Sequence, residues 1–230
     1  MSCIAIIPAR GGSKRIPRKN IRLFLGKPII AYSIITAKKS GVFNEIMVST
    51  DDEEIAQISR EHGATVPFFR STELSSDLAM TAPVLIEVLD EYEKRGSKFE
   101  YTCCLYPCAP FVTPERLKEG IELLRTSGAD SVLPVVKFSY PPQRGLVLNG
   151  GGLHMLHPEN YNIRSQDLEP LYHDAGQYCF IKSSSLRHEK KLFCENTLPQ
   201  ILSDIEVQDI DTEEDWAEAE IKYRILKRIS

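Results

Sequence analysis

Short continuous apolar runs alternate with segments of helical period along most of this chain, and Pro or Gly punctuates them. Ile4 to Ile7 is the first run, ended by Pro8. A run apolar at every position suits a central parallel strand covered on both faces. Pro28 to Lys39 reads as a helix, with Ile30, Ile34 and Ala37 on one side and Gly41 as its stop. Ile46 to Thr50 is a second strand, Asp52 to His62 a helix stopped by Gly63, and Thr65 to Phe68 a third, short strand. Thr81 to Arg95 is a helix with Pro83 in its first turn. Tyr101 to Tyr106 is a strand ended by Pro107 and Pro110. Thr113 as N-cap and Pro114 as first helical residue open a helix that Gly128 closes, and Ser131 to Val136 is a strand. The alternation predicts an α/β, Rossmann-like chain: a largely parallel, mixed sheet with helices on both faces and right-handed crossovers.

The rhythm breaks between Tyr140 and Asp174, where Pro141-Pro142, Asn149-Gly150-Gly151-Gly152 and His157-Pro158 are closely spaced turn signals. A β-hairpin extension around the Asn-Gly turn is the simplest reading. Gly176 to Lys182 returns to strand, and Asp211 to Lys227 is a terminal helix. Neither repeats nor linkers appear, so 230 residues predict one domain, 1–230, with an inserted extension at about 140–174.

Composition narrows the partners. With 42% hydrophobic and 26% charged residues the chain can bury an ordinary core. A formal net charge of -4 argues against nucleic acid as a partner. The N-terminus lacks a basic region ahead of a long apolar stretch, and no run approaches the roughly 20 apolar residues of a membrane span. The expectation is therefore no membrane and a cytoplasmic location. None of the six cysteines forms a CxxC pair. Cys103, Cys104 and Cys108 cluster, and small buried residues are the expected reading over ligands or disulfides.

The most informative stretch is Pro8-Ala9-Arg10-Gly11-Gly12-Ser13-Lys14-Arg15-Ile16-Pro17-Arg18-Lys19-Asn20, directly after the first strand. Ligands of open α/β sheets bind at the carboxyl ends of strands. Gly11 and Gly12 allow a sharp turn and bring N–H groups close to an anion. Arg10, Lys14, Arg15, Arg18 and Lys19 concentrate cations that a triphosphate and its leaving pyrophosphate require. The spacing is neither that of a P-loop nor the dinucleotide GxGxxG. A solvated basic loop is the plain alternative.

The run IPARGGSKRIPRKN resembles the N-terminal signature of the cytidylyltransferases that activate sialic acid and its relatives. The resemblance implies that the loop, with Ala9, Arg10, Gly11, Gly12, Ser13, Lys14 and Lys19, binds the phosphates of CTP. It gives Arg10, Lys19 and Asn20 catalytic places, with Asn20 beside the metal and nucleotide. Phe69 to Asp77 is similar to the family segment R-P-x-x-L-x-x-D, with Ser71 where proline is usual. That likeness implies a cytosine pocket of Arg70, Ala79 and Thr81, and an Arg donor suits the O2 and N3 acceptors of cytosine. Gln208 to Trp216 resembles the family's D-I-D-T-x-x-D. Asp209 and Asp211, two apart in an extended segment, point to one side and together can hold Mg²⁺, which takes one or two carboxylates plus phosphate oxygens. Asp211-x-x-Glu214 is also close to a capping box for the last helix, so Asp211 has two open roles, ligand and cap.

The acceptor sugar is read from two stretches. Leu105 to Pro110 aligns with the family's L-Q-P-x-S-P, and Tyr106 stands where sialic acid enzymes carry glutamine, which points away from N-acetylneuraminate. Asn162 to Gln177 is similar to the pseudaminic acid branch, whose resemblance runs from Ile4 to about Tyr223. It implies sugar contacts from Tyr106, Gln143, Arg164, Gln166, Tyr172 and His173, with Arg164 as a bidentate partner for the sugar carboxylate. A purely structural His173 is the alternative. The same resemblance makes the extension a dimerisation arm of a homodimer, reaching over the partner's active site.

The expected reaction is transfer of CMP from CTP to a nonulosonic acid, pseudaminate first and N-acetylneuraminate or legionaminate as alternatives, with release of pyrophosphate. Two rival classes remain at this level. A non-catalytic nucleotide-sugar binding protein would show no turnover, and Lys19 and Asp209 argue against it. A glycosyltransferase on a related fold would take a ready-made nucleotide sugar and release no pyrophosphate from CTP.

Overall fold

A computed structural model describes residues 2–76 and 79–228. Its strands are β1 (Cys3–Pro8), β2 (Leu23–Phe24), β3 (Lys27–Pro28), β4 (Glu45–Ser49), β5 (Tyr101–Leu105), β6 (Ser131–Lys137), β7 (Leu146–Asn149), β8 (Gly152–Met155), β9 (Tyr172–Asp174), β10 (Tyr178–Lys182) and β11 (Thr197–Leu202). Its helices are α1 (Ile29–Ser40), α2 (Glu53–Glu61), α3 (Thr81–Lys94), α4 (Pro114–Ser127), α5 (Ser183–Glu189) and α6 (Glu213–Lys227).

The central sheet has the order β11-β6-β10-β5-β1-β4, with β9 also paired to β6. It is mixed. β1 runs parallel to β4 and β5, and β11 parallel to β6, whereas β10 lies antiparallel between β5 and β6. Strand β1 shows why its run is apolar throughout. Cys3, Ala5 and Ile7 pack with Ile30 and Ile34 of α1 and Leu117 of α4, while Ile4 and Ile6 pack with Leu85 and Val88 of α3. Successive side chains of a strand alternate between faces, so both faces of β1 are covered.

Three details depart from the sequence reading. Thr65 to Phe68 is no strand; it makes one bridge, Thr65 to Met47, and Pro67 has no N–H to continue a ladder. Strand β11 is absent from the sequence reading; it contains Pro199, which an edge strand tolerates. The last helix begins at Glu213, and its N-cap is Thr212: Thr212 Oγ1 accepts from the Asp215 N–H at 3.2 Å, and Asp215 Oδ2 accepts from the Thr212 N–H at 2.8 Å. Thr212 and Asp215 therefore form the capping box, and the Asp211 side chain is released from that role.

β9 and β10 run alongside the same strand, β6, but their registers do not continue from one to the other. The break falls at Ala175-Gly176, with Gly176 at φ +63°, a left-handed conformation natural to glycine. Such bulges re-aim a strand beside a site. The expected hairpin is present as β7 and β8, turning at Gly150-Gly151.

The loop after β1 is anchored on both sides. Arg18, itself at φ +56°, forks onto Asp52 with bonds of 2.5 and 3.0 Å and also reaches Glu54. Asp52 doubles as N-cap of α2, accepting from the Ile55 N–H at 3.0 Å. A Cβ at Gly11 would stand 2.8 Å from Asp52 Oδ2, so glycine is required by close approach. On the other side Ile16 is fully buried with Phe24 and with Ile210 and Trp216.

The Arg18 bond holds the Asp52 carboxyl below its ordinary value. A depressed folded pKa stabilises the fold above the unfolded value, about 4, and that contribution fades as pH falls through the lowered folded value. Asn caps helices as well as Asp. Asp52→Asn should therefore keep the cap and lose the ion pair. In urea titrations it should be less stable than wild type near pH 7, with the gap closing below about pH 4. A gap independent of pH would refute the ion-pair assignment.

Candidate active site

A cavity of about 690 Å³ opens at the carboxyl ends of β1, β4 and β5. The loop after β1 contributes Arg10, Ser13, Lys14, Arg15, Lys19 and Asn20 to its wall. Arg70, Ala79 and Thr81 line a second side, Tyr106 and Cys108 a third, and Asp209 and Asp211 close it beside Gly176. Eleven of the residues that the resemblance singled out line it: Arg10, Ser13, Lys14, Lys19, Asn20, Arg70, Ala79, Thr81, Tyr106, Asp209 and Asp211.

Each is held by ordinary local chemistry. Arg70 hangs from the end of β4: its N–H donates to the Thr50 carbonyl, and its guanidinium donates to Ser49 Oγ at 3.0 Å and to the Ser49 carbonyl at 2.5 Å. Burial pushes the Arg70 pKa down, and the charges of Asp51 and Glu87 oppose that shift. Thr81 opens α3 and lines the cavity together with Tyr106. Asn20 is buried: its Nδ2 donates to the Arg10 carbonyl at 2.9 Å, and its Oδ1 accepts from Cys108 Sγ at 3.4 Å. Both ends of this amide brace the loop. The cysteines are free; five are buried, and Cys108 is partly so.

Lys19 spans the cavity floor. Its ammonium donates to the Ile210 carbonyl at 2.7 Å and lies 3.3 Å from Asp211 Oδ1. Arg15 reaches the same oxygen at 2.8 Å. Arg15 was counted among the loop cations in the sequence but given no site role; only the fold brings it to Asp211. Ala9, Gly11 and Gly12 shape the loop without lining the cavity. The Ala9 N–H donates to the Ser49 carbonyl, and the Gly11 N–H to Asp51 Oδ1 at 2.9 Å, so these amides serve the scaffold. Asp77, the aspartate of the second motif, lies outside the described residues.

The expected sugar contacts on the extension are not brought to this cavity. Arg164 is exposed and paired with Asp167 at 2.7 Å, so it is no carboxylate partner within this chain. Gln143 donates to the Glu169 carbonyl, and its Oε1 is enclosed without a hydrogen-bond donor. Gln166 sits in an exposed 3-10 turn, and Tyr172 lies exposed on β9. Gln143, Arg164 and Gln166 flank the hairpin, which pairs with itself outside the main sheet, and Tyr172 pairs with Lys137 of β6 with its side chain exposed. His173 lines an adjoining cavity that shares Gly176 and Asp209 with the first.

The donor set fits a hard cation. Asp209 and Asp211 face one cavity, and Mg²⁺ uses one or two carboxylates with phosphate oxygens and water. Among the described residues no group of three His, Cys, Asp or Glu is poised to hold a metal, so a cation on these two carboxylates would take its other ligands from substrate and solvent. No helix among the described residues is long and apolar enough to cross a membrane.

The pseudaminic acid cytidylyltransferase of Campylobacter jejuni subsp. jejuni serotype O:2 is 39% identical over 98% of this chain and 97% of its own length. The CMP-N,N'-diacetyllegionaminic acid synthase of Legionella pneumophila subsp. pneumophila is 35% identical over 94% of each. The solved structure of CMP-2-keto-3-deoxy-manno-octonic acid synthetase complexed with CTP superposes over the whole of both chains with a TM-score of 0.72 at 17% identity, a likeness of fold. The model of the cytidylyltransferase family matches residues 4–212, and this chain belongs to that family.

Proposed function

We propose that this protein transfers CMP from CTP to a nonulosonic acid, pseudaminic acid first among them, and releases pyrophosphate. The observation that carries the reading is the single cavity in which the cations of the loop after β1 face Asp209 and Asp211. Identity of 39% to a pseudaminic acid cytidylyltransferase over nearly the full length supports the choice of sugar. Tyr106 in the cavity wall, in place of the glutamine of sialic acid enzymes, supports it further. N-acetylneuraminate and legionaminate are the alternative acceptors.

The residues divide the work by position. Arg70, Ala79 and Thr81 bind cytosine beyond the end of β4. Arg10, Ser13, Lys14 and Lys19 take the phosphates, and the cations offset charge on the departing pyrophosphate. The anomeric hydroxyl attacks the α-phosphorus in line; its O–P bond forms as the bond to the β-phosphate breaks, and its proton passes to solvent. Asp209 and Asp211 would hold Mg²⁺, which neutralises phosphate charge and acidifies a neighbouring hydroxyl. Positioning and electrostatics supply most of the rate. We read residues 1–230 as one nucleotidyltransferase domain of a cytoplasmic homodimer, with no nucleic acid or membrane partner. The arm at about 140–174 serves as its interface, because it exposes Tyr140, Leu146, Leu148, Leu153, Leu156 and Tyr161 together. Across that interface Gln143, Arg164, Gln166 and Tyr172 reach the partner's site.

The direct test is pyrophosphate release from CTP and Mg²⁺ with a panel of pseudaminic, legionaminic and N-acetylneuraminic acids. Release with pseudaminic acid is expected, and no release with any of them by folded protein would refute the reading. Asp209→Ala should lower turnover about a thousandfold. Its thermal midpoint should stay within about 2 °C, because the carboxylate is exposed. Thr212→Ala should do the reverse, losing about 1 kcal/mol of stability with turnover kept. Light scattering should give a dimer for wild type, and a double change, Leu148→Asp with Leu153→Asp, should give monomers that remain folded.

A further inference from the structure

Asp209 and Asp211 stand on a segment, residues 207–211, that forms neither helix nor strand. No ladder of hydrogen bonds fixes its backbone, yet two carboxylates act on one cation only when that backbone is held. Side chains from three other parts of the fold take up its carbonyls instead. The Lys19 ammonium donates to the Ile210 carbonyl at 2.7 Å, the Lys222 ammonium to the Val207 carbonyl at 2.5 Å, and Gln177 Nε2 to the Glu206 carbonyl at 2.5 Å. Glu206 ends the 3-10 turn that launches the segment, and Arg116 of α4 forks onto its carboxylate at 2.9 and 3.0 Å.

Gln177 is the neutral and most deeply buried of these ties, 2% exposed. It follows Gly176, at the break where the chain leaves β9 for β10. Its main-chain carbonyl accepts from the Tyr106 N–H at 2.9 Å, and its side chain holds Glu206. One residue therefore joins the cavity wall that carries Tyr106 to the segment that carries Asp209 and Asp211. We infer that Gln177 is a positioning residue for the reaction: its amide sets the backbone at Glu206 and thereby aims Asp209 and Asp211 at a common divalent cation. Groups that orient metal-binding carboxylates from behind are worth ten- to a hundredfold in metal affinity. The amide is uncharged, so its loss changes the aim of the carboxylates and leaves the charge of the site as it is. Removing Lys19 or Lys222 would instead take a positive charge away.

This role rests on Asp209 and Asp211 as the carboxylates of the cation, and the test separates the two. Mn²⁺ in place of Mg²⁺ is titrated by electron paramagnetic resonance, without nucleotide, into wild type, Gln177→Met, Gln177→Asn, Asp209→Ala and Thr212→Ala. CTP binding is measured by calorimetry in EDTA. Methionine has the length of glutamine without its donor, and asparagine carries the donor one methylene short. Both should raise the Mn²⁺ dissociation constant about tenfold, with CTP binding kept within about twofold. Turnover lost at low Mg²⁺ should return as Mg²⁺ is raised. Thr212→Ala, which costs stability beside the same segment, should leave Mn²⁺ binding unchanged. Unchanged Mn²⁺ binding in the Gln177 variants, where Asp209→Ala weakens it, overturns the positioning role alone. Equal losses of Mn²⁺ and CTP affinity, or failure of both Gln177 variants to fold, make Gln177 a structural residue and overturn it too. Equal Mn²⁺ binding by wild type and Asp209→Ala overturns the carboxylate assignment and the positioning role together.

Discussion

The ammonium of Lys19 joins two segments 191 residues apart, and the active cavity depends on that join. It donates to the Ile210 carbonyl and lies against Asp211 Oδ1, while Ile16 from the same loop is buried with Ile210 and Trp216. An apolar plug and an ionic tie therefore fix the cationic loop against the acidic segment. Neither segment could do this by local preference. With Arg15 also on Asp211, the loop's positive charges are partly balanced. A triphosphate would compete for the same donors and release the Asp211 carboxylate toward a cation.

Much of this was legible in the sequence for a physical reason. The loop follows β1, Arg70 hangs from the end of β4, Tyr106 follows β5, and Asp209 and Asp211 share a side of an extended segment. The resemblance named these residues, and residues tied to strand ends converge wherever the strands lie side by side. Where a role depended on hydrogen-bond geometry, sequence was less reliable. Asp211 looked like a helix cap, yet Thr212 and Asp215 make the box one residue on. Gly11 looked like an amide donor to phosphate, yet its N–H serves Asp51 and its missing Cβ makes room for Asp52.

The arm shows where pattern runs out. Turn residues marked the hairpin well, but Gln143, Arg164 and Gln166 flank a hairpin that pairs outside the main sheet, and Tyr172 lies exposed on β9. Local signals cannot say which cavity such an arm serves. β10 was legible as a strand but not as antiparallel, because direction follows from the path of the excursion before it. β11 was hidden by Pro199, whose cost vanishes at a sheet edge. These two strands, with β6 and β9, make the half of the sheet that the alternating pattern describes least well.

The central claim is that the acceptor's anomeric oxygen attacks the α-phosphorus of CTP. Pseudaminic acid labelled with ¹⁸O at its anomeric hydroxyl, incubated with the protein, CTP and Mg²⁺, tests it by ³¹P NMR. The label should appear in the bridge of the CMP-sugar, with an isotope shift at its single phosphorus, and the pyrophosphate should be unlabelled. Labelled pyrophosphate, or a CMP-sugar without the label, would contradict it.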